Sequence, residues 1–118
     1  MQDLAPGIYR QRLLIEGYYQ IDADIDAIER FFDTLLSGLG VRAAGDTLIN
    51  SSLGMGKEEN QGIEAFLPLI ESGVALYTWQ SSKFLSVIIY TCKAFDEDAA
   101  LDIVRDFFRL SQMVYKSF

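Results

Sequence analysis

Three apolar segments follow one another closely between residues 63 and 94, and they constrain the fold more than any other feature of the chain. They span residues 63–70, 73–80 and 85–94, and short polar stretches with serine and glycine separate them. Apolar runs of this length between turn signals are typical of β-strands. Because consecutive short strands favour antiparallel pairing, the three segments predict an antiparallel sheet.

Two further strands are predicted at residues 10–20 and 46–52. A polar, glycine-rich stretch at residues 54–62 follows the second of them. This stretch is acidic and lacks the Gly-Lys-[Ser/Thr] spacing of a phosphate-binding loop. Residues 1–9 contain the breaker pair Pro6-Gly7 and predict an irregular lead-in.

Two amphipathic segments predict helices. Asp22 or Asp24 can cap the first by accepting backbone N–H bonds, and Gly38 and Gly40 are natural stops for it. Asp96 can cap the second, with Glu97 and Asp98 placed well against its dipole. The apolar faces, at helical spacing, comprise Ile25, Ile28, Phe31, Phe32, Leu35, Leu36 and Leu39 in the first helix, and Leu101, Val104, Phe107, Phe108 and Met113 in the second.

The predicted element order is β-α-β-β-β-β-α. It indicates an α+β fold, a two-layer αβ sandwich whose antiparallel sheet carries both helices on one face. The length of 118 residues suggests a single domain over residues 1–118. The other face of the sheet would still carry apolar side chains. A second copy can cover them, so we expect a homodimer.

The charge of the chain limits which partners are expected, and its cysteine content indicates the cellular compartment. The net charge is −7, and the ten basic residues are scattered. Nucleic acids and anionic membrane surfaces need clustered Lys and Arg, so neither is an expected partner. No apolar run is long enough to span a bilayer, and no signal peptide is recognisable at the N-terminus. A single cysteine cannot form an internal disulfide, which fits a reducing cytoplasm.

The chain contains no histidine. This excludes Ser-His-Asp and Cys-His catalysis and removes the usual general base near neutral pH. With one cysteine and no histidine, a zinc site is not expected either. Any chemistry therefore depends on carboxylates, Tyr, Ser, Lys, Cys or a cofactor.

Ser72 and Cys92 are the first candidate site residues. Ser72 lies at the break between two apolar segments, where a serine can be a self-cleaving nucleophile or an ordinary turn residue. Cys92 ends the third segment, and most free cysteines are small buried hydrophobes. Tyr77 can be a core or interface aromatic, and Glu64 an exposed residue at a sheet rim. A buried carboxylate at Glu64 would instead be costly and point to function.

The stretch from Gln61-Gly62 to Cys92 resembles the processing region of the bacterial S-adenosylmethionine decarboxylases. Glu71-Ser72 matches the cleavage pair of that family, and Thr78-Trp79 matches its Thr-Trp pair. Cys92 lies twenty residues after Ser72, the family spacing for the proton donor. No gaps are needed for this match.

The resemblance implies a small αβ-sandwich protein that dimerises and makes its own pyruvoyl cofactor. The serine would attack the preceding carbonyl, and elimination of the resulting ester would convert Ser72 into a pyruvoyl group. The ketone would form a Schiff base with the substrate amine and act as the electron sink for loss of CO₂. Cys92 would then return a proton to the carbanion. No metal is implied.

Four positions depart from the family pattern. Gly73 replaces the histidine after the cleavage serine, and Tyr77 replaces the processing histidine. Glu64 replaces an upstream serine that assists processing, and Ser81 replaces the glutamate that binds the substrate ribose. Tyrosine, with a pKa of about 10, is a poor base at pH 7, so Glu64 is the better base if the fold brings it near Ser72.

Two functions follow from this pattern. The first is a diverged pyruvoyl-dependent decarboxylase in polyamine (spermidine) biosynthesis, with Ser72, Cys92, Tyr77 and Glu64 as its catalytic residues. Its substrate would be S-adenosylmethionine or another amine, such as a basic amino acid that needs no ribose clamp. The second is a homologue that is not processed or catalytic, and that binds a ligand or regulates a paralogous enzyme by pairing with it.

Overall fold

A single six-stranded sheet, antiparallel throughout, organises the chain. The structure is a computed structural model and describes residues 1–118. Its strands are β1 (Gln11–Tyr18), β2 (Leu48–Ser52), β3 (Gly62–Leu69), β4 (Ser72–Trp79), β5 (Phe84–Thr91) and β6 (Ser111–Ser117). The helices are α1 (Ile25–Leu39) and α2 (Glu97–Phe108), and two short 3₁₀ turns, Gly54–Gly56 and Glu58–Asn60, precede β3.

The strand order across the sheet is β2-β3-β4-β5-β1-β6. The three central segments of the sequence form a meander, β3 to β5, as the short connections between them predict. The first strand then pairs with β5 on one side and with β6 on the other. This leaves β2 and β6 as the two edges of the sheet.

Local side chains start and stop both helices. Asp24, not Asp22, caps α1 by accepting a 2.8 Å hydrogen bond from the backbone N–H of Ala27. Gly40 ends α1 in the left-handed region at φ +65°, where a residue without Cβ is least strained. Asp96 caps α2 through the N–H of Ala99, as predicted.

The core lies between one face of the sheet and the two helices, which confirms the predicted two-layer α+β fold. Alternate residues of the central strands point toward the helices and are buried: Leu13, Ile15, Ile63, Ala65, Leu67, Val74, Leu76, Leu85, Val87 and Ile89. Phe31 of α1 packs against Phe107 and Phe108 of α2 and fixes the two helices beside each other. The opposite face of the sheet, which we call the open face, has no helix over it.

The structure corrects the C-terminal end of the prediction. The chain has a sixth strand after α2, so its order is β-α-β-β-β-β-α-β, and Met113 lies in β6 rather than on the face of α2. Arg109, in the left-handed region at φ +51°, ends the helix. The strand escaped prediction because β6 is an edge that buries none of its residues, which leaves only a faint alternation of apolar and polar residues.

Candidate active site

The structure brings Ser72 and Cys92 together. Ser72 is the first residue of β4, and Cys92 comes directly after the last residue of β5. Because these strands pair with Gly73 opposite Tyr90, the ends of the hairpin meet. The backbone N–H of Cys92 donates a 3.0 Å hydrogen bond to Oγ of Ser72. The separation of twenty residues in the sequence is thus the length of one hairpin.

The residue before Ser72 has a strained backbone. Glu71 and Ile70 form the turn between β3 and β4, in which Leu69 pairs with Ser72. Glu71 adopts φ +58°, in the left-handed region that costs a non-glycine residue about 1 kcal/mol. The Glu71–Ser72 peptide bond therefore follows a residue held in a disfavoured conformation, as often occurs at functional sites.

Ser72 and Cys92 line a cleft of about 300 Å³. Its charged lining residues are Arg42, Glu71 and Lys93, and none of the three forms an ion pair within the chain. Ser72 and Cys92 are both partly exposed, so a small molecule in the cleft can reach them. We refer to this cavity as the Ser72 cleft.

Sequence reasoning did not find Arg42 and Lys93. Lys93 follows Cys92 directly, so its place beside the site can be read from the match that places Cys92. Arg42 belongs to the connection between α1 and β2, which an isolated bridge from Ala43 to Leu69 holds against the end of β3. No local pattern in the sequence signals such a long-range contact.

Tyr77 and Glu64 face each other on neighbouring strands, β4 and β3, and both side chains lie on the open face. Ser72 lies five residues from Tyr77 along β4, about 17 Å at roughly 3.4 Å per residue. An odd separation also places their side chains on opposite faces of the sheet. The structure therefore pairs Tyr77 with Glu64 but does not place either beside Ser72 of the same chain.

These two residues belong to a polar row that crosses the open face. Glu64, Tyr77, Ser86 and Glu16 are successive cross-strand neighbours from β3 to β1. Ser86 is buried, and its hydroxyl donates a 2.9 Å hydrogen bond to Glu16. Apolar side chains surround the row on the same face, among them Leu14, Tyr18, Phe66, Ala75, Trp79, Phe84, Ile88, Tyr90 and Val114.

Two departures from the family pattern have a clear structural setting. A Cβ at Gly73 would lie 2.5 Å from the ring of Phe66, so the glycine makes room for that ring on the open face. Ser81 lies in the exposed turn between β4 and β5, at the end of the hairpin away from Ser72.

A larger cavity, of about 820 Å³, lies at the other end of the sheet, and none of the candidate residues lines it. Its lining includes Tyr19, Asp22 and Lys83. Burial, reinforced by the negative charge of Asp22, raises the pKa of Tyr19 above its usual value of about 10.

The structure contains no group of three or more Cys, Asp or Glu side chains arranged to hold a metal ion. Neither helix has the length and apolar character needed to cross a membrane.

Comparison with known proteins agrees with this architecture. The chain is similar in structure to the adenosylmethionine decarboxylase from Aquifex aeolicus VF5, with a TM-score of 0.72. The likeness covers 94% of this chain and 89% of that one, at 14% sequence identity, so it shows a common fold. No curated protein sequence matches significantly.

The amino-acid sequence also matches the model of a protein family. Residues 12–118 match the model described as S-adenosylmethionine decarboxylase. The match includes both helices, all but the first residue of the sheet and the Ser72 cleft. The resemblance seen in residues 61–92 thus extends over nearly the whole chain, and the chain belongs to the S-adenosylmethionine decarboxylase family.

Proposed function

We propose that the protein is a self-processing, pyruvoyl-dependent decarboxylase that acts on an amine-bearing carboxylic acid. The observation that carries this proposal is the 3.0 Å hydrogen bond between the N–H of Cys92 and Oγ of Ser72. It joins the residue at the family's cleavage position to the residue at its proton-donor position. The family assignment relates the activity to S-adenosylmethionine and to polyamine biosynthesis.

Cleavage would begin with attack of Ser72 Oγ on the carbonyl carbon of Glu71. The N–H of Cys92 holds that oxygen in one orientation, because a hydroxyl that accepts such a bond has restricted rotation. Release of the left-handed conformation at Glu71 would favour the step, since breaking the peptide bond frees this residue from the turn. The local geometry therefore suits a cleavage site as well as a turn.

The residues present fit a pyruvoyl group at position 72. Once formed, the group would supply a ketone that can bind the substrate amine and an electron sink for the pair released with CO₂. Cys92 would return a proton to the substrate carbon, because its partly exposed side chain lines the same cleft as residue 72. A thiol carries an S–H group that can donate this proton.

Removal of the Ser72 α-proton needs a base, and Glu71 is the one carboxylate among the residues that line the cleft. Tyr77 and Glu64 of the same copy lie about 17 Å away along the strand, on the other face. If they act on Ser72, they act from a second copy. Its open face carries both residues and the apolar surroundings expected of a dimer interface, which supports a homodimer.

A second candidate function follows from the same geometry. With no histidine and no same-chain partner for Tyr77 or Glu64 at Ser72, the hairpin can remain uncleaved. Ser72 pairs regularly with Leu69 as the first residue of β4, as an ordinary strand residue does. The protein would then be a non-catalytic homologue that binds a ligand in the Ser72 cleft or regulates a paralogous enzyme by pairing with it.

Intact-mass measurement of the purified protein separates the two. A processed enzyme gives fragments of residues 1–71 and 72–118, the second blocked at its N-terminus and shifted in mass by borohydride reduction. Ser72→Ala should give a single uncleaved chain, whereas Ser82→Ala, in an exposed turn, should cleave like the wild type. If the wild-type protein instead shows a single unmodified mass, stable over days and across pH, the decarboxylase function is excluded and the non-catalytic function is supported.

A further inference from the structure

The Ser72 cleft is locally cationic in an acidic protein. Arg42 and Lys93 line it with free charges, and Glu71 is the one acidic side chain among its lining residues. The chain as a whole has seventeen acidic and ten basic residues. The two unpaired cations beside Ser72 and Cys92 therefore make the cleft positively charged, although the molecule as a whole is negatively charged.

Helix termini explain only one of these cations. Arg42 comes just after the C-terminal end of α1, where a positive charge interacts favourably with the helix dipole. Lys93 comes shortly before the N-terminal end of α2, where the same interaction is unfavourable. Lys93 makes no ion pair or side-chain hydrogen bond that offsets this position.

The carboxylate lost as CO₂ is a poor partner for these cations. That group carries a full negative charge in the substrate and none in the product, so an ion pair to it would stabilise the ground state more than the transition state. A cation in a decarboxylase cleft can instead bind a negatively charged group that keeps its charge throughout the reaction, because such binding does not oppose the loss of CO₂. They therefore point to a second anionic group on the substrate.

The size of the cleft and the absence of the family's ribose-binding glutamate limit how large the rest of the substrate can be. A volume of about 300 Å³ lies at the lower end of the range for ligand pockets. Ser81, where the family has its ribose-binding glutamate, lies in a turn remote from the cleft. The cleft in one copy thus suits a small amino acid better than a nucleoside.

We infer that the substrate of the Ser72 cleft is a small amino acid with a second acidic group, that is, an aminodicarboxylic acid whose side-chain carboxylate is held by Arg42 and Lys93. The inference rests on the proposed decarboxylase function. It differs from the basic amino acid considered from the sequence, which two free cations would repel.

Reductive capture tests this on the processed protein. Wild-type protein is incubated with cyanoborohydride and one of L-aspartate, L-glutamate, L-alanine, L-ornithine or S-adenosylmethionine, and the mass of the 72–118 fragment reports the amine captured. We expect the two dicarboxylic acids to be captured at least about fivefold faster than L-ornithine, the effect of one screened charge pair. Equal rates, or faster capture of L-ornithine or S-adenosylmethionine, would overturn the inference and leave the decarboxylase proposal standing.

Charge-removing variants identify the residues. Arg42→Gln and Lys93→Gln should each slow capture of L-aspartate and L-glutamate by roughly fivefold and leave L-alanine unchanged. Lys57→Gln, at an exposed position outside the cleft, is the matched control. Slower cleavage at Ser72 in the two cleft variants would assign the cations to the new carboxylate at Glu71 and contradict the substrate role.

Failure of processing is a separate outcome. If wild-type protein is never cleaved, the decarboxylase proposal fails, and calorimetric titration of the intact protein with L-glutamate decides the recognition question. Binding that Arg42→Gln and Lys93→Gln weaken, and Lys57→Gln does not, would support an aminodicarboxylic ligand. Absence of binding at millimolar L-glutamate and L-aspartate would reject it.

Discussion

The hydroxyl of Thr78 accepts a 2.8 Å hydrogen bond from the backbone N–H of Ile63 inside the protein. The regular backbone pairing of β3 with β4 ends at Glu64 opposite Tyr77, the pair next to Ile63 and Thr78. The Thr78 side chain therefore supplies the hydrogen bond that the next backbone pair would have made. The Thr of the family's Thr-Trp pair thus has a structural role. It fixes the start of β3 and, with it, the strand that carries Glu64.

Replacing Thr78 by valine should destabilise the fold by about 1–3 kcal/mol, because the buried N–H of Ile63 would lose its acceptor while the side-chain shape is kept. Urea denaturation followed by circular dichroism measures the change. Thr34→Val is the matched control, since the exposed Thr34 hydroxyl only bonds to Arg30 within α1. Equal losses in the two variants would contradict the role given to Thr78.

Alkaline pH should destabilise the protein through Tyr19. Burial, with a contribution from Asp22, raises the pKa of Tyr19, so its hydroxyl stays protonated in the folded state at a pH where the unfolded chain ionises. This contribution is complete below about pH 10 and is lost as the pH rises through the folded-state pKa. Thermal unfolding between pH 8 and 11 should show a smaller loss in Tyr19→Phe than in Tyr9→Phe, an exposed control.

The open face should be the contact between two copies. Ile88 lies at the middle of β5 on this face, so Ile88→Glu would place a charge within the proposed interface. We expect wild-type protein to sediment as a dimer of the 13.3 kDa chain and Ile88→Glu as a folded monomer. Leu53→Glu, at an exposed loop position, should remain dimeric. A monomeric wild type at 100 µM, about the range where weak interfaces still associate, would contradict the prediction.

How far the sequence predicts this structure depends on where each residue's partners lie. The meander from β3 to β5 was predictable because the apolar alternation and both turns are local, and the spacing from Ser72 to Cys92 follows from one hairpin. β6 was not, since an exposed edge strand has little pattern of its own.

The surroundings of Ser72 were predictable only in part. Arg42 reaches the cleft through a bridge between the α1–β2 connection and the end of β3, and its sequence neighbours do not signal that contact. The match to the family groups Tyr77 and Glu64 with Ser72 as catalytic residues. Once the register of β3 and β4 is known, the rise and alternation of the strands show that both side chains lie far from Ser72, on the other face of the sheet.

Cleavage and decarboxylation should respond differently to Cys92→Ala. Ser72 is oriented by the backbone N–H of residue 92, which alanine keeps, so fragments 1–71 and 72–118 should form at the wild-type rate. The thiol is lost, and removal of a general acid typically lowers the rate of turnover by about 10²- to 10⁴-fold. Intact mass follows the first step, and steady-state ¹⁴CO₂ release over many turnovers, without cyanoborohydride and from the amino acid with the fastest capture, follows the second. An uncleaved Cys92→Ala protein would show that the side chain, and not the backbone, prepares Ser72, and an unchanged rate of CO₂ release would remove Cys92 from the role of proton donor.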